Sequence, residues 1–290
     1  MFLRRFTFVR HRKIGYICSA ILIVAGIVSL CFQGLNLGID YTGGSTLQIR
    51  FAQSTDIATI RAELAKDGLD KTPIQAVDGD TYILKMPYME AAERDAFLDG
   101  LRANLGELTL DRSNAIGPSM GSEIFRKGLI ALGIATMLMV VYISVRFEWR
   151  FALAGLLALF HDIFITVAFF SIFQWELDST FIAAILTLFG YSINDTIVIF
   201  DRIRERLGRI KRDDLETEVD DAINNTMTRS LYTSGSTLIL LVALLIFGGA
   251  TTKMFVLAMT IGVAFGAYSS IFIAAPLWYD FSLRSKKKRF

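Results

Sequence analysis

Thr187, Tyr191, Asn194 and Asp195 recur at i, i+4, i+7 and i+8 within an otherwise apolar run, Thr180–Phe200. That spacing places them on one face of an α-helix and predicts a polar stripe turned to protein rather than lipid. An Asp near the centre of a membrane helix costs about 2.5–3.5 kcal/mol on insertion scales, so it marks a pathway or a partner. Depth suggests the partner. Asp195 lies five residues before Phe200, about 7 Å inside the end of its span at a rise of 1.5 Å per residue. If the next span begins near Asn225, Arg229 reaches a comparable depth on an antiparallel neighbour, and an Asp195–Arg229 pair fits the geometry.

Such a pair sets up a competition. Burial disfavours the ionised carboxyl and an adjacent guanidinium favours it, while the guanidinium keeps its own proton. Coupled to helix movement, proton exchange at Asp195 gives a gradient-driven machine, with ~2.3 kcal/mol available per charge per 100 mV. A static buried ion pair that fixes helix register accounts for the same residues equally well. His161 and Asp162 form a second polar island, near the midplane of the run Phe151–Phe173. They read as a proton relay or as a hydrogen-bonded structural pair. Adjacent helix positions point about 100° apart, so the two are not expected to face one partner squarely.

These groups need a bundle to hold them. The 290-residue chain is 53% apolar yet 20% charged, with a mean hydropathy of +0.48. The two figures coexist because the charges are segregated. Six runs nearly free of charge (Ile14–Phe32, Gly128–Val145, Phe151–Phe173, Thr180–Phe200, Ser230–Phe247 and Met254–Tyr279) each have the length to cross ~30 Å of hydrocarbon. The fold class is therefore an α-helical membrane protein of six transmembrane helices. The organisation expected is a cytoplasmic tail 1–13, a first helix 14–33, an external domain 34–127, helices two to six over 128–279, and a basic tail 280–290. Nineteen Lys and Arg fall in the two tails and the loops after spans two and four, against Lys253 alone in the two short opposite loops. The positive-inside rule then places both termini in the cytoplasm. Span one reads as an uncleaved signal-anchor, its apolar run being too long for a signal peptide.

The external loop carries the one soluble domain. Leu47, Ile49 and Phe51 alternate with Gln48 and Arg50 as a half-buried strand. Thr55 is placed to cap a helix with Ile57, Ile60 and Leu64 on one face. Ile74–Val77 and Thr81–Met86 flank the turn Asp78-Gly79-Asp80. A helix near Met89–Leu105 aligns Phe97, Leu101 and Leu105, and Leu108–Leu110 opens a last strand. Strand, helix, strand, strand, helix, strand is the order of a small α+β ferredoxin-like domain. On the opposite side, residues 201–228 place Ile203, Leu207 and Ile210 among arginines, the pattern of an amphipathic helix lying on headgroups. Gly262 and Gly266, and the small residues Thr233–Thr237, read as packing devices, and Gly43-Gly44 as a turn.

Cys18 and Cys31 sit thirteen residues apart in one helix, about 20 Å along its axis, too far to pair. There is no Cys/His ligand cluster, H-E-x-x-H or phosphate-cradling glycine loop in the sequence, so neither metal, cofactor nor catalysis is expected. The basic tail follows a span directly and reads as a topology anchor in the bilayer, not a nucleic-acid patch. Energy would come from an ion gradient or from a partner's ATPase.

The segment Gly190-Tyr191-Ser192-Ile193-Asn194-Asp195-Thr196-Ile197-Val198-Ile199-Phe200-Asp201-Arg202 resembles the signature of the SecF family of protein-export membrane proteins. Gly38-Ile39-Asp40-Tyr41-Thr42-Gly43-Gly44 is similar to the family's motif after its first helix, with Tyr41 where Phe is usual. Leu159-Phe160-His161-Asp162 and Asn224-Asn225-Thr226-Met227-Thr228-Arg229-Ser230 also match. The resemblance covers essentially the whole chain. It implies one half of a bundle like that of resistance-nodulation-division transporters, paired with the six-spanning SecD in the bacterial inner membrane. It also implies work with the SecYEG translocon and SecA, with YajC and YidC as associates, on the late movement and release of exported preproteins at the expense of the proton gradient. The family's intramembrane acid and arginine align with Asp195 and Arg229, beside Asn194, and this favours the proton reading over the static pair. His161, Asp162 and Tyr191 are further candidates for that path; Asp40, Gly43 and Gly44 carry the motif after helix one. Two other readings compete: a half-transporter of a small amphiphile or lipid, which would normally carry a larger external domain, and a structural scaffold for SecD.

Overall fold

The computed structural model describes residues 6–207, 215–249 and 251–287. The chain divides into two units, one of Met1–Asn36 with Ile130–Phe290 and one of Leu37–Leu129. In chain order, α1 (Arg12–Phe32) is followed by α2 (Ile39–Thr42), β1 (Gly44–Phe51), α3 (Ile57–Leu64), β2 (Ile74–Asp78), β3 (Thr81–Met86), α4 (Ala91–Leu105) and β4 (Leu108–Ile116). Then come α5 (Pro118–Arg146), α6 (Trp149–Ile172), α7 (Ser179–Leu207), α8 (Leu215–Phe247), α9 (Lys253–Ser269), a π-helical turn Ser270–Ala274 and α10 (Ala275–Lys287). Among the described residues, six helices are long and apolar enough to cross a membrane: α1, α5, α6, α7, α8, and the run Lys253–Leu283. Helices suit that setting because they satisfy every backbone polar group internally.

The helical unit is built around α6, α7 and α9. Half or more of the apolar stretch in each of these spans is buried, against less than a fifth in α1, α5 and α8. The central helices approach closely because their facing residues are small. A Cβ added at Gly262 would lie 2.2 Å from the Leu188 side chain of α7, and one at Gly26 would lie 2.4 Å from Ala168 Cβ of α6. At one end of the bundle, Phe151 stacks on Trp278 at 4.6 Å and meets Phe200 edge-on at 5.0 Å. Arg12 Nε pairs with Asp280 Oδ1 at 2.9 Å, and Tyr16 donates to Asp280 Oδ2, tying α1 to α10.

The headgroup-bound helix expected over residues 201–228 is corrected here. Its first part continues α7 to Leu207 and its second opens α8 at Leu215, while Ile210 lies outside the described residues. Ile203, Leu215, Val219 and Ile223 are buried with Phe8, Val9 and Phe147 in the core of the same unit. Asn224 accepts from Phe6 N–H and donates to Phe6 C=O, and Asp220 accepts from Val9 N–H at 2.8 Å, so the start of the chain covers this face. Apolar spacing shows that a face is buried without showing what buries it.

In the other unit the sheet order is β2-β3-β1-β4, with every neighbouring pair antiparallel. Leu47, Ile49, Phe51, Leu84 and Met86 form the buried side against Ile60, Leu64, Leu98 and Leu101. The strand alternation and the hairpin at Gly79 follow the sequence pattern. The caps differ. Asp56, not Thr55, is the first flanking residue of α3, and Thr55 Oγ1 donates to Gln53 C=O instead. α4 is closed by a reciprocal Glu90–Glu93 capping box, and its face centres on Leu98 and Leu101 with Phe97 and Leu105 half-buried. α5 begins at Pro118, a first helical position whose missing N–H would have been unpaired anyway.

The close α1–α6 approach gives a test. Gly26→Ala, with a rigid neighbour to displace, is expected to lower stability in lipid nanodiscs by about 1–3 kcal/mol. Gly133→Ala, which points into open space, is expected to be neutral. Thermal unfolding of the two variants beside the parent chain checks the difference.

Candidate functional site

Asp195 sits on the inner side of α7 with 4% of its surface exposed. Its Oδ2 accepts from Ser234 Oγ of α8 at 3.1 Å. The expected ion pair is not made: among the described residues no salt bridge joins Asp195 to Arg229. Arg229 is exposed and lines an open pocket of about 340 Å³ with Val198, Asp201, Arg202, Glu205 and Asn225. It remains near enough for its charge to act on Asp195. A long guanidinium that can reach a polar opening loses less hydration there than in the bundle, so it extends outward. The acid is thus held by a neutral hydroxyl, with the cation one and a half turns away along α8.

The polar stripe also divides. Tyr191 is half-buried and donates to Thr233 C=O of α8 at 3.2 Å. Asn194 and Thr187 lie on the exposed face of α7, where Thr187 Oγ1 bonds back to Ala183 C=O. This chain's own helices therefore cover only part of the stripe. The i+7 and i+8 positions differ by about 100° of rotation, enough to straddle the edge of the α7–α8 contact.

His161 and Asp162 are buried to 7% and 1% exposure. The two side chains bond one another, with His161 Nδ1 2.9 Å from Asp162 Oδ1, and their other partners lie on different helices. Asp162 Oδ2 accepts from Ser192 Oγ of α7 at 2.5 Å and from Ser269 Oγ of α9 at 2.7 Å. His161 Nε2 lies 3.0 Å from Ser19 Oγ of α1, which lies 3.2 Å from the Tyr268 hydroxyl. Tyr268 donates to Gly15 C=O at 2.8 Å. The π-helical turn begins directly after Ser269. Its wider turn lets both Ser269 and Ser270 face inward, and Ser270 Oγ meets Thr196 Oγ1 of α7 at 2.8 Å. Ser19, Ser192, Ser234, Ser269 and Tyr268 are the residues that sequence reasoning missed. The serines are of a type that commonly bonds its own helix backbone, so their presence in an apolar helix carries little signal.

The motif after α1 is a close approach inside the smaller unit. Asp40 is half-buried in α2. Gly43 has φ 75°, and a Cβ on it would stand 2.8 Å from Pro118 Cα; one on Gly44 would stand 2.9 Å from Met86 C=O. The Tyr41 ring meets Phe125 of α5 edge-on at 5.5 Å. Gly117-Pro118-Ser119-Met120-Gly121 has the letters of a G-x-S-x-G hydrolase motif. The chain's two histidines, His11 and His161, belong to the other unit, so Ser119 has no histidine base within its own unit. No group of three or more His, Cys, Asp or Glu that could hold a metal occurs among the described residues.

The family model for the SecD/SecF protein-export membrane protein C-terminal region matches residues 99–284, and that for the SecD/SecF GG motif matches residues 28–55. The chain belongs to the SecD/SecF family. It is similar to the protein translocase subunit SecF of Sebaldella termitidis, 39% identical over 93% of this chain and 90% of the relative. The same subunit of Haemophilus influenzae is 38% identical over 96% and 86%. The crystal structure of SecDF, a translocon-associated membrane protein from Thermus thermophilus, superposes with a TM-score of 0.88 at 31% identity. A super-membrane-facing form of SecDF gives 0.75 at the same identity. This chain spans 40% of either SecDF chain. Family membership and the six apolar helices make this a multi-pass membrane protein of the protein-transport class, a role in transport rather than catalysis.

The GG motif yields a measurable consequence. Gly43→Ala adds a methyl group at a left-handed φ and against α5 backbone, so it is expected to destabilise the Leu37–Leu129 unit by about 1–3 kcal/mol. Gly100→Ala, an exposed helical position with free space around it, is expected to leave the unit intact. Limited proteolysis of the full-length protein distinguishes them.

Proposed function

We propose that this chain is the proton-gradient-coupled SecF subunit of the Sec preprotein translocase, acting with SecD on late translocation and release. The observation that carries the reading is Asp195: a carboxyl buried in an apolar span, bonded to one neutral hydroxyl, with its cation turned to an open pocket. Closing Arg229 onto Asp195 would favour the ionised acid, and withdrawing it would favour the protonated one. A helix movement that alternates the two states would exchange a proton with the gradient.

The orientation that serves this cycle puts both termini and the Arg229 pocket in the cytoplasm and the α+β domain, ferredoxin-like in strand order, in the periplasm of a bacterial inner membrane. The exposed face of α7 that bears Asn194 and Thr187, with the open apolar faces of α5 and α8, supports a second six-helix partner, SecD. SecYEG with SecA supplies the translocation channel and its motor; YajC and YidC are candidate associates. Exported preproteins are the cargo. The chain needs no cofactor in this scheme.

The test is Asp195→Asn in a chain still shown to co-purify with SecD. In vesicles with an imposed proton gradient, preprotein export by this variant is expected to fall to the level measured without a gradient. Full gradient stimulation in the variant would reject proton coupling at Asp195 and favour a scaffold for SecD.

A further inference from the structure

The proposed cycle uses Asp195 and leaves the more deeply buried acid, Asp162, without a task. With every contact around it taken as a hydrogen bond, the donors and acceptors imply a proton count. Tyr268 has one hydroxyl proton and gives it to Gly15 C=O at 2.8 Å. The Tyr268 oxygen can then only accept, so Ser19 Oγ, 3.2 Å away, gives it its own proton. Ser19 is left with lone pairs to offer His161 Nε2 at 3.0 Å, and Nε2 must therefore carry a proton and donate. At the far end Asp162 Oδ2 is occupied by the hydroxyls of Ser192 and Ser269. Between Nδ1 and Oδ1, 2.9 Å apart, one more proton must lie, or two lone pairs would face each other.

We propose that His161 and Asp162 together bind one exchangeable proton, with Ser19 and Tyr268 as positioning residues that hold Nε2 as a donor. Whether the proton is drawn on the ring or on the acid, the pair then has no net charge. A carboxylate beside a singly protonated ring would leave −1 at hydrocarbon depth, where an uncompensated charge is costly. Release of the proton to water leaves Nε2 bare, and the Ser19 hydroxyl must swing from Tyr268 to Nε2. Ser19 bridges α1 to both α6 and α9, so proton occupancy changes one contact between α1 and the central helices.

The groups around the pair leave it otherwise undisturbed. Tyr268 is the titratable group presented by α9, and the π-helical turn presents none. On α7, Asp195 is turned to Ser234 of α8. On α1, Cys18 is exposed and Tyr16 is bonded to Asp280 of α10, which Arg12 neutralises. Use of this proton in export rests on the proton-coupled reading above; its presence does not.

The chain has two histidines, His11 and His161, so 15N-histidine labelling of the full-length protein in lipid nanodiscs gives two ring systems, assigned with His11→Gln. At neutral pH the Nε2 resonance of His161 is expected at the position of a protonated nitrogen, converting in one step to a bare nitrogen as pH rises. Ser19→Ala, a small change unlike loss of the acid, is expected to shift Nε2 while leaving the Nδ1 resonance in place. A bare Nε2 at neutral pH, the lack of any step, or an Nε2 indifferent to Ser19→Ala would overturn the proposal. The spectrum is independent of export, so failure here is separate from failure of the Asp195→Asn test.

Discussion

A carboxyl placed where water is excluded has to be hydrogen-bonded or neutralised, and much of this bundle is arranged around meeting that demand twice. Asp162 finds its hydrogen-bond partners on α6, α7 and α9, the three most buried of the apolar helices. The small residues beside it are part of the same requirement. Gly266 lets α9 approach Ser192 and Asp162, and the π-helical turn brings Ser269 and Ser270 to the same side. Asp195 is served more sparingly, by one hydroxyl and a displaced arginine. The first acid closes the centre of the bundle, and the second lies at its margin.

The outer helices follow a different rule. α5 and α8 keep most of their apolar side chains exposed within this chain, and α1 reaches the centre chiefly through Gly15, Ser19 and Gly26. Apolar surface on a membrane helix is satisfied by lipid or by another helix, so these faces carry no penalty and are free to meet a partner. The signature segment sits across this boundary. Ser192 and Thr196 point into the bundle, Asp195 and Tyr191 point to α8, and Asn194 points out. One helix therefore carries residues for the core, for the candidate proton site and for an open face, and no single-face reading of its motif accounts for all of them.

The start of the chain shows how far pattern reasoning carries. Basic residues before span one are legible as a topology signal, but their segment also covers the start of α8 through Asn224 and Asp220. Those bonds join positions more than two hundred residues apart, use backbone groups on one side, and leave no trace in spacing. The same holds for Asp56 in place of Thr55 at α3, where two adjacent polar residues compete for one cap and the local φ/ψ decides.

Sequence alone determined the spans, the small mixed domain between the first two, and Asp195 as an acid inside an apolar span, because hydrocarbon thickness and the cost of buried charge act on composition one segment at a time. Helix packing by Gly262 and Gly266 was likewise readable, though not its partner, α7. Tertiary structure decided which polar groups meet. It joined His161 to Asp162, recruited Ser19, Ser192, Ser269 and Tyr268, and turned Arg229 away from Asp195. Those outcomes depend on the rotation of each helix about its axis and on side-chain reach across interfaces, quantities that a single segment's pattern does not contain.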